Sequence, residues 1–426
     1  MFTLLEAFIL LENKGTMEKI NFKGNLNKKL VIFVIFVAMV ITPLTTIATV
    51  HSTPRDNSLL DHNLLLPTEK NSIKPGPISM AYGYDANIAL GASYLMHAQA
   101  DITEDNALNG LPVDDSQDGG WDWNLPSGIY VHSMTASPQN IYGETALGLY
   151  YAYRATQLNS ITPDPRYMIA MTDAANFIKS TGTAPPRSAS DLIFLMLYDD
   201  LPSVCGTVYQ AAAKAKYDAR ITAYGSAYAL ATSIRDERGV IEGYQDGIIP
   251  WDISGFVKAA AMLATRYGGT YAADADAMAE VLYNDSFMLS PGYFDFNGAC
   301  KGYDASYGNL RYYWYTSGIT GLIDSFDAAQ IHTGDIPGLL TVLQACQCPS
   351  GGFSYQYGGN TGDEDWQMTA LAIITLGKYD ASAYMTQIQS ACAWLAATQN
   401  PVSGAWDYGA PYGHYPQVGG ECVAAL

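Results

Sequence analysis

The sequence predicts an all-α fold, an (α/α)6 toroid of six helical hairpins over residues 79–426, and three observations predict it. Apolar segments of helical length recur in pairs along that stretch. The first member of a pair carries one apolar stripe, as Met385, Ile388, Cys392 and Leu395 do; the second is apolar on every side, as from Leu192 to Leu197. Three units also share one order of parts: an apolar helix, a Gly-aromatic turn, a Tyr/Gly loop and a second helix. Short turns make consecutive helices antiparallel, so striped helices outside and apolar helices inside close into a ring.

The elements follow in order. In residues 1–52, Lys19, Lys23, Lys28 and Lys29 precede an apolar run from Leu30 to Val50, which is an export signal or an N-terminal anchor. A run of roughly 21 residues is long enough to span a bilayer. Met17 is a natural start, because the residues before it add acids that a signal does not need. Residues 53–78, rich in Pro and Asn, read as a linker. The first hairpin has "ALGASYLMHAQ" ending at Gln99, then "DGGWDW", then "QNIYGETALGLYYAY". The second pairs "DAANFIKS" with "SASDLIFLMLYDD", the third a helix near Tyr224–Arg235 with "PWDISGFVKAAAMLA", and the fourth "ADAMAEVLYND" with "YTSGITGLIDSF". The fifth contains "GGFSYQYGGNTGDEDWQMTALAIITL", and the sixth runs from "ACAWLAATQ" through "SGAWDYG" to "VGGECVAAL". That last segment reaches Leu426 as its helix begins, so an incomplete sixth hairpin is expected.

The net charge is −19, and without residues 1–52 it is −21. Nucleic acid is therefore excluded as a partner, and membrane contact is confined to the N-terminal segment. The expected location is secreted or membrane-anchored and extracellular. All six cysteines lie in the exported part, where disulfides are permitted. Cys346-x-Cys348 has no second Cys/His pair nearby and reads as a disulfide or a buried thiol rather than zinc.

The pattern Ala391-x-x-Trp394-Leu395-x-x-x-Gln399-x4-Gly404-x-Trp406 resembles the Gln-Trp repeat of the terpenoid cyclases. "GGF…D…TALAIITL" resembles the repeat of the protein prenyltransferase β subunits. The resemblance covers residues 82 to the end and implies the toroid, with the Gln amide tying one helix end to the next backbone and the aromatic covering the joint. Their catalytic motifs are not matched. Asp363-Glu364-Asp365 is followed by Trp366-Gln367-Met368 before Thr369-Ala370, not by the cyclase order Asp-x-Asp-Asp-Thr-Ala, and His414 has no Asp-x-Cys partner for a prenyltransferase zinc.

The connections that lead into the inner helices gather on one rim, and long ones, 100–140, 348–365 and 400–418, are among them. Catalytic candidates there are Glu144, Asp252, Asp363 and Asp365. Capping explains one acid per helix, which is the plain reading for Asp191 and Asp252. The triplet Asp363, Glu364 and Asp365 exceeds that need and is a candidate calcium site, calcium being the one cofactor raised. Binding candidates are Trp121, Trp123, Tyr142, Trp251, Tyr355, Trp366, Tyr408, Tyr415 and Glu421; rings beside carboxylates suit sugar faces, although core packing gives the same composition. No serine-hydrolase, phosphate-loop or zincin motif occurs. Three readings stay open: a glycoside hydrolase or polysaccharide lyase acting on extracellular polysaccharide or surface glycan, a non-catalytic surface module, and a divergent terpenoid cyclase or prenyltransferase-like enzyme.

Overall fold

Residues that are apolar on every side form an inner ring of helices, and the striped segments wrap them. The computed structural model describes residues 83–99, 119–122, 124–127, 142–180, 189–241, 250–287, 301–304, 309–312, 316–355, 362–410 and 412–426. The N-terminal segment and linker lie outside them. The inner helices are α2 (Tyr142–Leu158), α4 (Ala189–Asp199), α7 (Pro250–Tyr267), α9 (Thr316–Ala329), α11 (Trp366–Asp380) and α13 (Pro416–Ala425). Each packs on the next, and α13 returns to α2, so the ring closes. The outer helices are α1 (Asp85–Ala98), α3 (Pro165–Ser180), α5 (Val208–Tyr224), α6 (Ala227–Ile241), α8 (Tyr271–Phe287), α10 (Ile336–Gln344) and α12 (Met385–Thr398). The two classes differ as the sequence predicts. On α9 every residue from Thr316 to Phe326 is buried, whereas α5 buries only Ala213, Lys216 and Tyr217.

The third outer segment departs from the expected single helix. Gly225, at φ 85°, ends α5 with its N–H bonded to Ile221 O, and Ser226 Oγ then accepts from Ala229 N at 3.1 Å to start α6. Two short antiparallel ladders complete the described elements: β1 (Lys301–Asp304) with β2 (Asn309–Tyr312), and β3 (Phe353–Ser354) with β4 (Glu364–Asp365). Among the described residues, no helix is long and apolar enough to cross a membrane. The cysteines described, Cys205, Cys346, Cys348, Cys392 and Cys422, are free thiols, and all but Cys205 are buried.

One device repeats around the outer ring. Gln99 Nε2 donates to Gly119 O at 3.2 Å and to Ala170 O of α3 at 2.9 Å. Gln399 Nε2 donates to Gly404 O at 2.9 Å and to Asn87 O of α1 at 3.0 Å. Gln347, which the sequence did not single out, reaches Gly351 O at 2.8 Å and Gln387 O of α12 at 3.0 Å. Each tie joins a turn to the following outer helix. The turn glycines have no alternative: a Cβ on Gly404, at φ 81°, would stand 2.2 Å from Leu90 O. Trp121 and Trp406 seal two of the joints, each donating its indole N–H to a helix carbonyl, Leu95 O at 2.8 Å and Leu395 O at 3.0 Å. We expect Gln399→Ala to cost about 1–3 kcal/mol in urea unfolding, because it leaves buried carbonyls without their donor.

The sixth hairpin has the shortest of the six inner helices. Its inner helix begins at Pro416, within the Tyr/Gly loop, and at 10 residues is close to the 11 of α4. It crosses α2 backbone to backbone: a Cβ on Gly148 would lie 2.5 Å from Gly420 Cα, and one on Gly420 would lie 2.8 Å from Glu144 O.

Candidate functional site

The inner helices begin on one rim, and their first turns carry Glu144 on α2, Asp191 on α4 and Asp252 on α7. Asp191 Oδ1 accepts from Gly143 N at 2.9 Å, so this acid caps the neighbouring helix α2. Gly143 permits the approach, since a Cβ there would stand 2.2 Å from Asp191 N. The glycine crossing of α2 and α13 brings in Glu421, whose charge acts on Glu144. Gln367 Nε2 of α11 and Gln417 Nε2 of α13 donate to Glu421 Oε1 at 3.2 and 3.3 Å. Oε2 of Glu421 and Oε2 of Glu144 are shielded from solvent and accept no hydrogen bond.

This arrangement favours bound protons. Burial, then the charges of Glu421, Asp252 and Asp191, raise the Glu144 carboxyl well above its ordinary value, with Lys258 acting against them. Burial pushes Glu421 up to about 7 against its two amide donors, and Asp365 adds to the rise. Deeper along the helices, Lys258 Nζ meets Asp324 Oδ2 at 2.5 Å, and Lys378 Nζ lies 3.8 Å from Asp324 Oδ1 and 3.0 Å from Asp327 Oδ2. Burial works against the Asp324 charge, but Lys258 and Lys378 hold that carboxyl below its ordinary range.

A stability prediction follows with a definite sign. A carboxyl whose folded pKa is raised makes the folded state bind more protons than the unfolded one. The Glu421 contribution is fully present below its ordinary 4.5 and is lost as pH rises through about 7. We expect unfolding free energy to fall between about pH 5 and pH 8, by ~3 kcal/mol from this group alone. Denaturant melts of wild type and Glu421→Gln check it, the variant showing the shallower slope.

Beside the carboxylates lies an aromatic group. Tyr408 meets Trp366 edge to face with centroids 4.6 Å apart, and meets Tyr415 at 5.8 Å. Its hydroxyl donates to Asp365 Oδ2 at 3.3 Å, and burial raises that phenol well above its ordinary value.

The other sequence candidates separate. The triplet does not converge on an ion. Asp365 is the N-cap of α11, with Oδ1 accepting from Met368 N at 3.1 Å. Glu364 closes its own loop, accepting from Ser350 Oγ and from Gly362 N. Asp363 is exposed. Among the described residues no group of three or more His, Cys, Asp or Glu could hold a metal ion, so the calcium expectation finds no ligand set there. Neutralising all three acids is expected to cost ~1 kcal/mol, the cap of Asp365, with no calcium-dependent change in Tm. Trp121 is fully buried in the outer joint, and Tyr142 packs edge to face on Phe177 at 4.8 Å, so both belong to the scaffold. Tyr355 is exposed; its carbonyl accepts from Thr316 N at 3.2 Å. Trp251 is the second residue of α7, and its side chain, like all of Trp123, lies outside the described residues. Sequence reasoning missed Gln367, Gln417, Lys258 and Asp324. Gln417 stands one turn before Glu421 on the same helix, while Gln367, Lys258 and Asp324 find their partners only through packing of neighbouring inner helices.

No family model and no curated protein sequence matches the chain. Solved structures do. A possible member of the GH105 family from Klebsiella pneumoniae matches at TM-score 0.52 and 13% identity, over 84% of this chain and 98% of its own. Another possible GH105 member, from Salmonella enterica serovar Paratyphi A, matches at 0.51 and 14%, over 85% and 98%. An unsaturated glucuronyl hydrolase from Streptococcus agalactiae matches at 0.50 and 11%, over 84% and 96%. These toroids overturn the likeness to terpenoid cyclases and prenyltransferase β subunits. The Gln and Gly-aromatic pattern that carried that likeness is a joint between adjacent outer helices. By fold, the chain is an α/α toroid like those three proteins.

Proposed function

We propose that the chain is a carbohydrate-active enzyme, a glycoside hydrolase that works with the carboxylates at the inner-helix rim and is exported or anchored outside the cell. The observation that carries this reading is Glu421: a carboxyl pushed up to about 7, held through Oε1 by two amides, with Oε2 turned away from every protein donor. Such a group is partly protonated near neutral pH, and in that form can deliver its proton to a glycosidic oxygen. Asp252 is near enough for its charge to raise the Glu144 carboxyl. Asp252 is assigned as the second carboxylate of the pair. Tyr408, Trp366 and Tyr415 supply the flat surface beside it. The match to an unsaturated glucuronyl hydrolase supports a glycan as substrate.

The test is a screen of polysaccharides and their oligosaccharides for reducing ends and for unsaturated products. Reducing ends alone support a hydrolase; unsaturated products alone move the assignment to a lyase. Binding without either product makes the chain a non-catalytic surface module.

A further inference from the structure

Below the rim carboxyls, the inner helices keep some accessible surface along their middles. Each is flanked by its ring neighbours and backed by outer helices, so a mid-helix residue that stays accessible faces the axis of the ring. Such residues recur one helical turn apart: Leu147 and Tyr151 on α2, Ile193 and Leu197 on α4, Ile374 and Lys378 on α11. On α4 the residues between them, Phe194, Leu195 and Met196, are fully buried. Tyr151 is the fullest case. It is 44% exposed, yet burial within the protein pushes its phenol up to about 12, with Tyr150 and the charge of Asp324 adding to the rise. A ring on the outer surface would not be both; one that borders a hollow reached by solvent and enclosed by protein is. The hollow has a polar side. Lys258 Nζ meets Asp324 Oδ2 at 2.5 Å and Lys378 Nζ lies 3.0 Å from Asp327 Oδ2, the two lysine side chains being 34% and 32% exposed. Two ammonium groups are therefore balanced by two carboxylates. Each ammonium has three N–H donors, and Asp324 takes one from Lys258. Among the described residues the Tyr151 hydroxyl meets no hydrogen-bonding partner.

We propose that the axis of the ring holds a sugar subsite that takes an uncharged hexose, with Tyr151 as its platform. One face of a hexose is apolar and packs on a flat ring. Its hydroxyls both donate and accept, which suits the spare N–H groups of Lys258 and the hydroxyl of Tyr151. Other ligand classes leave something unmet. A hydrocarbon would strand those donors, and an unpartnered donor away from water is costly. A uronate or a phosphate would add a net charge where the charges are already balanced, which is costly for the same reason. Tyr151 lies about two turns beyond Glu144 on the same face of α2, so a glycan on this ring reaches toward the rim carboxyls. The inference rests on the glycan reading above and names the class of sugar unit.

Calorimetric titration of the purified chain tests it, with cellobiose, maltose and mannobiose as uncharged probes and a diglucuronate as the charged one. We expect at least one uncharged disaccharide to bind, with Kd changing less than about twofold between low and high salt, because no net charge is neutralised. Tyr151→Ala, in a variant whose thermal unfolding is still cooperative, should weaken that binding about tenfold. Tyr151→Phe keeps the ring and loses only the hydroxyl, so it should weaken binding about threefold. The proposal is overturned if no uncharged disaccharide binds, if the diglucuronate binds as tightly or more tightly, or if Tyr151→Ala binds as wild type does. Turnover is read separately. Binding that depends on Tyr151 without cleavage upholds the subsite and removes the hydrolase; cleavage with KM and kcat unchanged in Tyr151→Ala does the reverse.

Discussion

Glu421→Gln is expected to lower turnover by roughly 10²–10⁴-fold while the ring stays folded, because the amide keeps the shape of the side chain and cannot give up a proton. Its Oε1 still accepts from Gln367 and Gln417, so the local geometry survives. The pH profile gives a second readout. Wild-type activity should decline as pH rises through about 7, the value to which burial pushes this carboxyl. Residual activity in the variant should lack that limb. Steady-state kinetics on the best substrate, from about pH 5 to pH 9, check both. A variant that retains wild-type rate and the same limb removes Glu421 from the chemistry.

The largest effect on stability is expected at the crossing of α2 and α13. Gly148→Val places branched carbons where even a Cβ would be 2.5 Å from Gly420 Cα and 2.6 Å from Gly420 O. Neither obstacle is a side chain that can rotate away, so the helices must separate. Overpacking of this kind costs about 1–3 kcal/mol or more, and here it also parts Glu144 from Glu421. Gly377→Ala is the matched control. A Cβ at that position in α11 meets nothing within 4 Å, so the exchange should stabilise by ~0.4–1 kcal/mol. Thermal and denaturant unfolding of the two variants should move in opposite directions, and only Gly148→Val should alter the binding of glycan.

Much of this architecture was legible in the sequence, because the difference between striped and apolar segments is a local property. Leu192–Leu197 and Met385–Leu395 each declare their ring without reference to anything else. Glu144 and Asp252 were legible as rim acids for the same reason: their places in the first turns follow from where helices start. Which acids meet was not legible. Asp363-Glu364-Asp365 looks like a cluster because its members are adjacent in sequence, yet adjacency in an extended segment sends side chains to opposite faces, and Glu364 and Asp365 find separate partners. Glu144 and Glu421, far apart in sequence, act on each other. The aromatic residues divide the same way. Trp121 and Trp366 are equally aromatic near a Gly-rich loop, and only packing shows that one closes a joint while the other borders the carboxylates.

The tie from Gln399 to Asn87 has a consequence for the order in which the molecule assembles. It spans 312 positions, whereas the tie from Gln347 to Gln387 spans 40. Contacts between near neighbours in sequence form readily, and those that close a long loop carry the greatest entropic cost. Neighbouring hairpins can therefore stack as a growing arc, with the seam between α12 and α1 left for the end. Until that seam shuts, α13 has no α2 to lie against, and Glu421 stays in contact with water. The closing step of folding is thus also the step that shuts water out and raises the Glu421 carboxyl, so an arc stalled short of closure would hold nearly all its helices and lack the group proposed as its proton donor.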